Sequence, residues 1–283
     1  MKCLTTRFAP SPTGFLHLGH GYAALFAEQA ARSQGGKFLL RIEDIDHTRC
    51  RPLFTEAILR DLDWLGLKWE GPVRCQSQHM GAYQKALDCL DEAGLLYPCF
   101  CSRADIRREI EASGAAPHGP DGPLYPGLCR RLSQDERAQK RAEGVGFALR
   151  LDMQKAVAMA GPIGWHDLGQ GWQTARPDLF GDVVLARKEI AASYHLAVTV
   201  DDALQEISLI TRGEDLFAAT HIHRLLQALL HLPVPNWHHH ALLADSAGRR
   251  LAKRDQAPSL ASLREGGADP VALRTRLLSM KGL

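Results

Sequence analysis

Short apolar runs alternate along the chain with polar turns that contain glycine or proline. The segments TTRFAPS and KFLLRIEDID have the pattern of buried strands that end in polar residues. Between them, HGYAALFAEQAARSQGG is typical of a helix that closes at Gly35 and Gly36. A strand, a helix and a strand of these lengths predict a parallel pair joined by a right-handed crossover.

The same reasoning predicts amphipathic helices at TEAILRDLDWLGL, with Thr55 as N-cap, and at AYQKALDCLDEAGL. Two more helices are predicted at ATHIHRLLQALLHL and near DPVALRTRLLSM. Alternating patterns, which favour strands, occur in GFALRLDM, DVVLARKE, YHLAVTVDD and EISLITRGED. Helical and strand patterns mixed in this order predict an α/β fold with a mostly parallel sheet.

Residues 99–145 have a different character. They combine three cysteines, the loop SGAAPHGPDGPLYPG and the charged segment SQDERAQKRAEG. We therefore expect an insertion here, with the main domain formed by residues 1–98 and 146–245. Residues 246–283 would form a basic loop and a C-terminal helix.

Composition narrows the class of protein. Apolar residues make up 45% of the 283 residues and charged residues 23%, as in ordinary soluble proteins. The net charge is only +2, so any site for a polyanion must be local. No apolar stretch suits a membrane span, and the N-terminus lacks the apolar core of a signal peptide. The seven scattered cysteines then favour reduced thiols and a metal site over disulfides, and we expect a cytoplasmic location.

The segment RFAPSPTGFLHLGH carries the first candidate chemistry. Two prolines and Gly14 predict a tight turn from strand to helix. His17 and His20, three residues apart, would lie on one face of the helix beside its free N–H groups. Such a helix end attracts anions, so the motif favours phosphate binding. A helix-capping pair and half of a zinc site are the alternatives.

These residues resemble a known family. FAPSPTGFLHLGH is similar to the nucleotide-binding signature of class I aminoacyl-tRNA synthetases in its glutamyl or glutaminyl form, and RIEDID, ASYHLAVTVDDAL, ITRGEDLFAAT and WHHHALLADSAGRRLAKR resemble the later blocks in order. The resemblance implies a Rossmann-like catalytic domain that binds ATP with Mg²⁺ through His17 and His20. RLAKR resembles the second signature, which makes Lys253 the expected cation for the ATP phosphates. Arg250 and Ala252 depart from the usual lysine and serine.

A site for glutamate needs cations for two carboxylates and an anion for one ammonium. Arginine suits a carboxylate because its planar group donates two hydrogen bonds. The candidates are Arg7 and Arg212 for the carboxylates and Glu43 for the ammonium, with surface ion pairing as the alternative. The resemblance adds contacts from neutral groups, and the complete expected set comprises Arg7, Phe8, Ala9, Pro10, Ser11, Glu43, Tyr194 and Arg212.

CFC and YPGLC suggest a structural zinc site. Cys99, Cys101 and Cys129 supply three thiols. The resemblance implies a tyrosine ligand at the position of Tyr125, as in short members of the family. His118 competes for the fourth position, and three free buried cysteines are the alternative. Zinc would stabilise an insertion that has little core of its own.

The place of RLAKR in the chain narrows the resemblance. Only 28 residues follow Asp255, so no anticodon-binding domain is expected. The resemblance is therefore closest to the short paralogues, the glutamyl-queuosine tRNA(Asp) synthetases. It implies a monomer that activates L-glutamate without tRNA and esterifies queuosine in tRNA(Asp). A truncated glutamyl-tRNA synthetase and a non-catalytic nucleotide- or RNA-binding paralogue are the alternatives. The arginines at 103, 107, 108, 130 and 131 would contact RNA phosphates or form a solvated face.

Overall fold

A computed structural model describes residues 3–112, 118–120, 122–188, 190–243 and 258–280. The strands in these residues are β1 Thr5–Phe8, β2 Lys37–Ile42, β3 Arg74–Cys75, β4 Leu96–Cys99, β5 His118–Gly119, β6 Gly122–Pro123, β7 Ala148–Leu151, β8 Gly164–Asp167, β9 Gly171–Thr174, β10 Val184–Ala186, β11 Leu209–Gly213 and β12 Asn236–His240. The α-helices are α1 Leu18–Arg32, α2 Pro52–Trp64, α3 Met80–Glu92, α4 Arg103–Ala112, α5 Gln134–Ala142, α6 Met153–Ala160, α7 Tyr194–Leu204, α8 Ala219–Leu229, α9 Leu260–Glu265 and α10 Pro270–Ser279.

Two mainly parallel sheets lie side by side. The first has the order β1-β2-β3, and the second has the order β11-β12-β8 with β9 antiparallel at its edge. Strands β1 and β11 are neighbours, and the Ser208 N–H donates to the Thr5 carbonyl at 3.0 Å. The predicted α/β fold with a parallel sheet is thus confirmed. A third, antiparallel sheet has the order β10-β7-β4.

The turn between α1 and β2 shows why glycine is needed there. Gly35 has φ +61°, and a Cβ on Gly36 would lie only 2.3 Å from the Leu4 carbonyl oxygen. The Lys37 N–H then donates to that same oxygen at 2.7 Å. The two glycines therefore let the chain leave α1 and return alongside β1, as predicted.

Two local predictions were wrong. Helix α2 begins at Pro52 with Arg51 as N-cap, not at Thr55. Proline suits this first position because its φ is fixed and it needs no hydrogen-bond acceptor. The segment YHLAVTVDD forms helix α7 instead of a strand, with the Ser193 hydroxyl capping it. Because residues 196–202 are buried on every side, their sequence lacks the polar face that marks an amphipathic helix.

The core has two large parts. One packs α1 and α2 against β1, β2 and the C-terminal helices α9 and α10. The other joins α3, α6, α7 and α8 to the antiparallel sheet. Within the described residues, each helix is too short or too polar to cross a bilayer.

Candidate active site

The turn after β1 delivers both motif histidines to the start of α1. His17 is the N-cap, and its Nδ1 accepts from the Gly19 N–H at 3.1 Å. His20 Nδ1 in turn accepts from the His17 N–H at 3.2 Å. The two rings are in contact, with centroids 3.8 Å apart and planes tilted by 36°. The two histidines therefore do form the helix-capping pair considered as an alternative. The capping hydrogen bonds fix both rings at the wall of a cavity.

That cavity has a volume of about 550 Å³ and lies at the carboxyl ends of β1 and β11. It brings together all the predicted ATP- and glutamate-site residues that the structure describes, namely Arg7, Phe8, Ala9, Pro10, Ser11, His17, His20, Glu43, Tyr194 and Arg212. Sequence reasoning missed other lining residues, among them Tyr22, Thr211 and His240. The end of a parallel strand next to a topological switch is the usual position for a ligand in such folds.

Arg7 is compensated by a buried carboxylate. Its Nε and Nη2 donate to the two oxygens of Asp202 at 2.9 and 3.2 Å, and Nη1 donates to the Thr211 carbonyl at 3.2 Å. Arg41 contacts the same carboxylate at 2.9 Å. Burial alone would raise the pKa of Asp202, but the two guanidinium groups hold it below its ordinary value. Asp202 therefore stays ionised and orients Arg7 toward the cavity.

Arg212 has a different environment. Its Nε donates to His239 Nε2 at 3.1 Å, its Nη1 lies 3.1 Å from His223 Nδ1, and its Nη2 donates to the Thr220 hydroxyl. Among the described residues, no carboxylate lies within salt-bridge distance of this buried guanidinium. Burial lowers the pKa of Arg212, which reflects this poor compensation. The cavity thus presents a cation that an anionic ligand group would neutralise.

The histidines around Arg212 accept because they are neutral. His239 lies 2.6 Å from Asp167 through Nδ1, so the proton sits there and Nε2 is the acceptor. Burial lowers the pKa of His239 to about 4. His223 accepts from Arg212 through Nδ1, and its Nε2 lies 3.1 Å from His195 Nδ1. Sequence reasoning missed these residues, although the pairing of histidines in THIH and HHH was the available signal.

Glu43 supplies a carboxylate at the edge of the cavity. Its backbone N–H donates to the Pro10 carbonyl at 3.0 Å, which ties the end of β2 to the motif turn. Its side chain lies 3.4 Å from Arg41 Nη2. Burial raises the pKa of Glu43 to about 6, although Arg41 and Arg7 act in the opposite direction. The group is ionised at neutral pH and can accept from an ammonium group.

The predicted zinc ligands converge at the end of β4. The Sγ atoms of Cys99, Cys101 and Cys129 lie within 4.8 Å of one another. The Tyr125 hydroxyl lies 3.3 Å from Cys99 Sγ and 3.5 Å from Cys101 Sγ. His118, the competitor, is on β5 and does not belong to this cluster. Three soft sulfur atoms and one oxygen at this spacing fit a tetrahedral zinc ion.

Lys253, with Arg250 and Ala252, lies outside the described residues. Two described residues near it border the cavity, because Leu243 lines it and Ser259 forms a β-bridge with His17. The Leu260 N–H also donates to the Leu16 carbonyl at 2.8 Å. Described residues on both sides of Lys253 in the sequence, Leu243 and Ser259, therefore lie close to the cavity.

Comparisons with known proteins agree with this architecture. The model of the family "tRNA synthetases class I (E and Q), catalytic domain" matches residues 3–281. A glutamyl-Q tRNA(Asp) synthetase of Rhodobacter capsulatus is 50% identical, and the match covers 98% of this chain and 100% of the relative. Another, from Symbiobacterium thermophilum, is 43% identical over 99% of this chain and 87% of the relative.

Solved structures show the same fold. A glutamate tRNA ligase from Elizabethkingia meningosepticum, in complex with its amino acid, superposes with a TM-score of 0.81 at 26% identity. The match covers 98% of this chain, which spans 61% of that ligase. The chain therefore belongs to the class I glutamyl and glutaminyl tRNA synthetase family, among the glutamyl-Q tRNA(Asp) synthetases, and is an enzyme of the ligase class.

Proposed function

We propose that the enzyme activates L-glutamate with ATP in the absence of tRNA and transfers it to the cyclopentenediol of queuosine in the wobble position of tRNA(Asp). The choice of glutamate as the amino acid is supported by Arg212, a buried cation with neutral partners at the wall of the cavity. A glutamate carboxylate would neutralise it, whereas the amide of glutamine would leave it uncompensated. The transfer step is supported by the similarity of this chain to glutamyl-Q tRNA(Asp) synthetases.

In the first step, a glutamate α-carboxylate oxygen attacks the α-phosphorus of ATP, and pyrophosphate leaves. Arg212 and Arg7 face the carboxylates, and Glu43 accepts from the ammonium. His17, His20 and Lys253 stabilise charge on the phosphates. In the second step, a queuosine hydroxyl attacks the acyl carbon of the mixed anhydride, and AMP leaves.

Mg²⁺ would enter with ATP and neutralise phosphate charge when bound. Among the described residues, carboxylates and imidazoles form no cluster of three metal ligands at the cavity. The candidate zinc site is separate from the main cavity. Cys99, Cys101, Cys129 and the phenol oxygen of Tyr125 would hold it and join β4 to the insertion.

The test separates activation from transfer. Glutamate-dependent exchange of pyrophosphate into ATP is measured without tRNA, and transfer of labelled glutamate is then measured on queuosine-containing tRNA(Asp), unmodified tRNA(Asp) and tRNA(Glu). We expect exchange without tRNA and transfer to queuosine-containing tRNA(Asp) alone. Exchange that requires tRNA(Glu) would identify a truncated charging enzyme, and absent exchange would identify a non-catalytic paralogue. Lys253→Ala should reduce exchange sharply, and unchanged exchange would remove the role given to Lys253.

A further inference from the structure

Three clefts outside the main cavity meet at the residues that follow β10. The inner cleft, about 210 Å³, shares Ser11, Thr13, Glu43 and Tyr194 with the main cavity. Two outer clefts, about 440 and 420 Å³, are both lined by Arg187 and Lys188. Arg187 lines all three clefts, so a single residue borders both the inner cleft and the two outer clefts.

The outer clefts are strongly basic. Their described lining contains no aspartate or glutamate and includes five cations, Arg103, Arg141, Arg150, Arg187 and Lys188. The whole chain has 34 basic and 32 acidic residues, so this is a local concentration and not a general excess. A positively lined cleft on an almost neutral protein attracts a polyanion to one place.

The five cations are not equally available. Arg150 lies 3.8 Å above the Tyr125 ring and donates to the Asp182 carbonyl at 2.6 Å. Arg141 lies 5.0 Å above the Phe147 ring, which is half-buried and lines both outer clefts. Arg187 and Lys188 are exposed, and no carboxylate of the described residues lies within salt-bridge distance of either. Arg103 and Arg141 are exposed as well, but each lines only one outer cleft, whereas Arg187 and Lys188 line both.

The arginines suggested by sequence alone are less suitable. Arg130 lies 3.3 Å from the buried carboxylate of Asp182. Arg108 pairs with Asp105 at 3.7 Å within α4. Of the five suggested arginines, Arg103 alone lines an outer cleft. Arg103 and Arg141 of the insertion thus share the basic clefts with Arg187 and Lys188, which follow β10.

We infer that the outer clefts bind the sugar–phosphate backbone of an RNA loop, with Arg187 and Lys188 as the principal phosphate contacts. The inner cleft then leads the extruded nucleotide to the edge of the main cavity at Ser11, Glu43 and Tyr194. RNA suits this surface because it carries one charge per nucleotide and its unpaired bases can turn out of the loop and stack on rings such as Phe147. This inference rests on the proposed function, and it names the surface on which the tRNA is held.

The test compares Arg187→Ala/Lys188→Ala with the matched control Arg276→Ala, an exposed arginine on α10 that lines none of these clefts. Binding of a labelled anticodon stem-loop of tRNA(Asp) is measured by fluorescence anisotropy over a range of salt concentrations. We expect roughly 10-fold weaker binding for the double variant, with a log–log salt slope reduced by about 1.5 to 2. Glutamate-dependent exchange should stay within about twofold because neither side chain lines the main cavity.

Unchanged affinity and salt slope would overturn the inference. An equal loss of exchange would also overturn it, because the turn would then support the glutamate cavity. Arg187→Lys/Lys188→Arg keeps both charges and should bind as the unmodified chain does, which separates loss of charge from misfolding. Binding is measured without transfer, so absent transfer with intact binding would count against the proposed function and leave this surface standing.

Discussion

Neutral histidines position the guanidinium group of Arg212, whereas a carboxylate positions that of Arg7. Asp202 neutralises Arg7, whereas His223 and His239 can only accept hydrogen bonds from Arg212. A neutral acceptor orients a guanidinium without cancelling its charge. We therefore regard His239 as a positioning residue for the substrate carboxylate.

His239→Ala should raise the KM for glutamate roughly 10-fold in pyrophosphate exchange, with a smaller change in kcat, because Arg212 loses a partner. His239→Gln places an amide near the former Nε2 and should recover part of the affinity. The neighbouring His238→Ala is the control, since His238 packs on Phe26 with ring centroids 4.9 Å apart. A loss confined to kcat, or no advantage of glutamine over alanine, would contradict this role.

Glu43 gives the site a pH dependence. Its carboxyl group, whose pKa burial raises to about 6, accepts from an ammonium only when ionised. Affinity for glutamate should therefore fall as the pH decreases through about 6. His195 and His239, with pKa values lowered by burial to about 4, remain neutral in this range. Calorimetric titration between about pH 5 and about pH 8 measures this, and Glu43→Gln should remove the acid limb and weaken binding above it.

Single residues of the cavity were predictable from sequence, but their partners were not. Arg7 and Arg212 follow strand patterns and precede proline or glycine, which places them at strand ends. The contact of Arg7 with Asp202 joins residues 195 positions apart and requires α7 to be a helix. Because the alternating pattern of YHLAVTVDD favoured a strand, nothing in the sequence placed Asp202 beside Arg7.

At the scale of elements, local signals determined what could be predicted. The unit of β1, α1 and β2 was predictable because its polar ends and closing glycines lie within the segment itself. The antiparallel order β10-β7-β4 depends on contacts between distant segments, and its cysteine cluster assembles at one end of β4. The sequence predicted that the three thiols would lie together, whereas their position relative to the sheet required the fold.

Cys101→Ser should lower the zinc content from about one ion per chain and reduce the melting temperature by several degrees, because β4 loses its link to the segment around Cys129. Cys89→Ser is the matched control, since Cys89 is exposed on α3. Metal analysis and thermal unfolding measure both effects. Full zinc content in Cys101→Ser, or purified chain without zinc, would contradict the assignment.

At the scale of the molecule, the C-terminal helices brace the motif turn from outside. Arg264 Nε on α9 donates to the buried carboxylate of Asp61 on α2 at 3.0 Å. Arg274 on α10 contacts Glu28 on α1 at 2.6 Å. Together with the bond from Leu260 to Leu16, these contacts fix the helix that carries His20. Residues far apart in sequence thus fix the side of the cavity formed by α1.

Arg264→Ala should lower the free energy of unfolding by about 1–3 kcal/mol, because it leaves the fully buried Asp61 without its cation. Adding Asp61→Asn should recover part of the loss, since a neutral amide costs less to bury than a charge. Urea denaturation measures each variant, with exposed Arg276→Ala as the control. If the double variant is no more stable than Arg264→Ala, the uncompensated charge of Asp61 is not the cause of the lost stability.

Ser11, Thr13, Glu43 and Tyr194 line both the main cavity and the inner cleft, which our proposals assign to different molecules. A small molecule that fills the inner cleft would leave the main cavity open to glutamate and ATP. The adenylate would then form and be lost to water, so that ATP is consumed while the RNA remains unmodified. Inhibitors can accordingly be sought in two chemical classes. One class would fill the main cavity and prevent ATP consumption. The other would fill the inner cleft and allow ATP to be consumed without modification of the RNA.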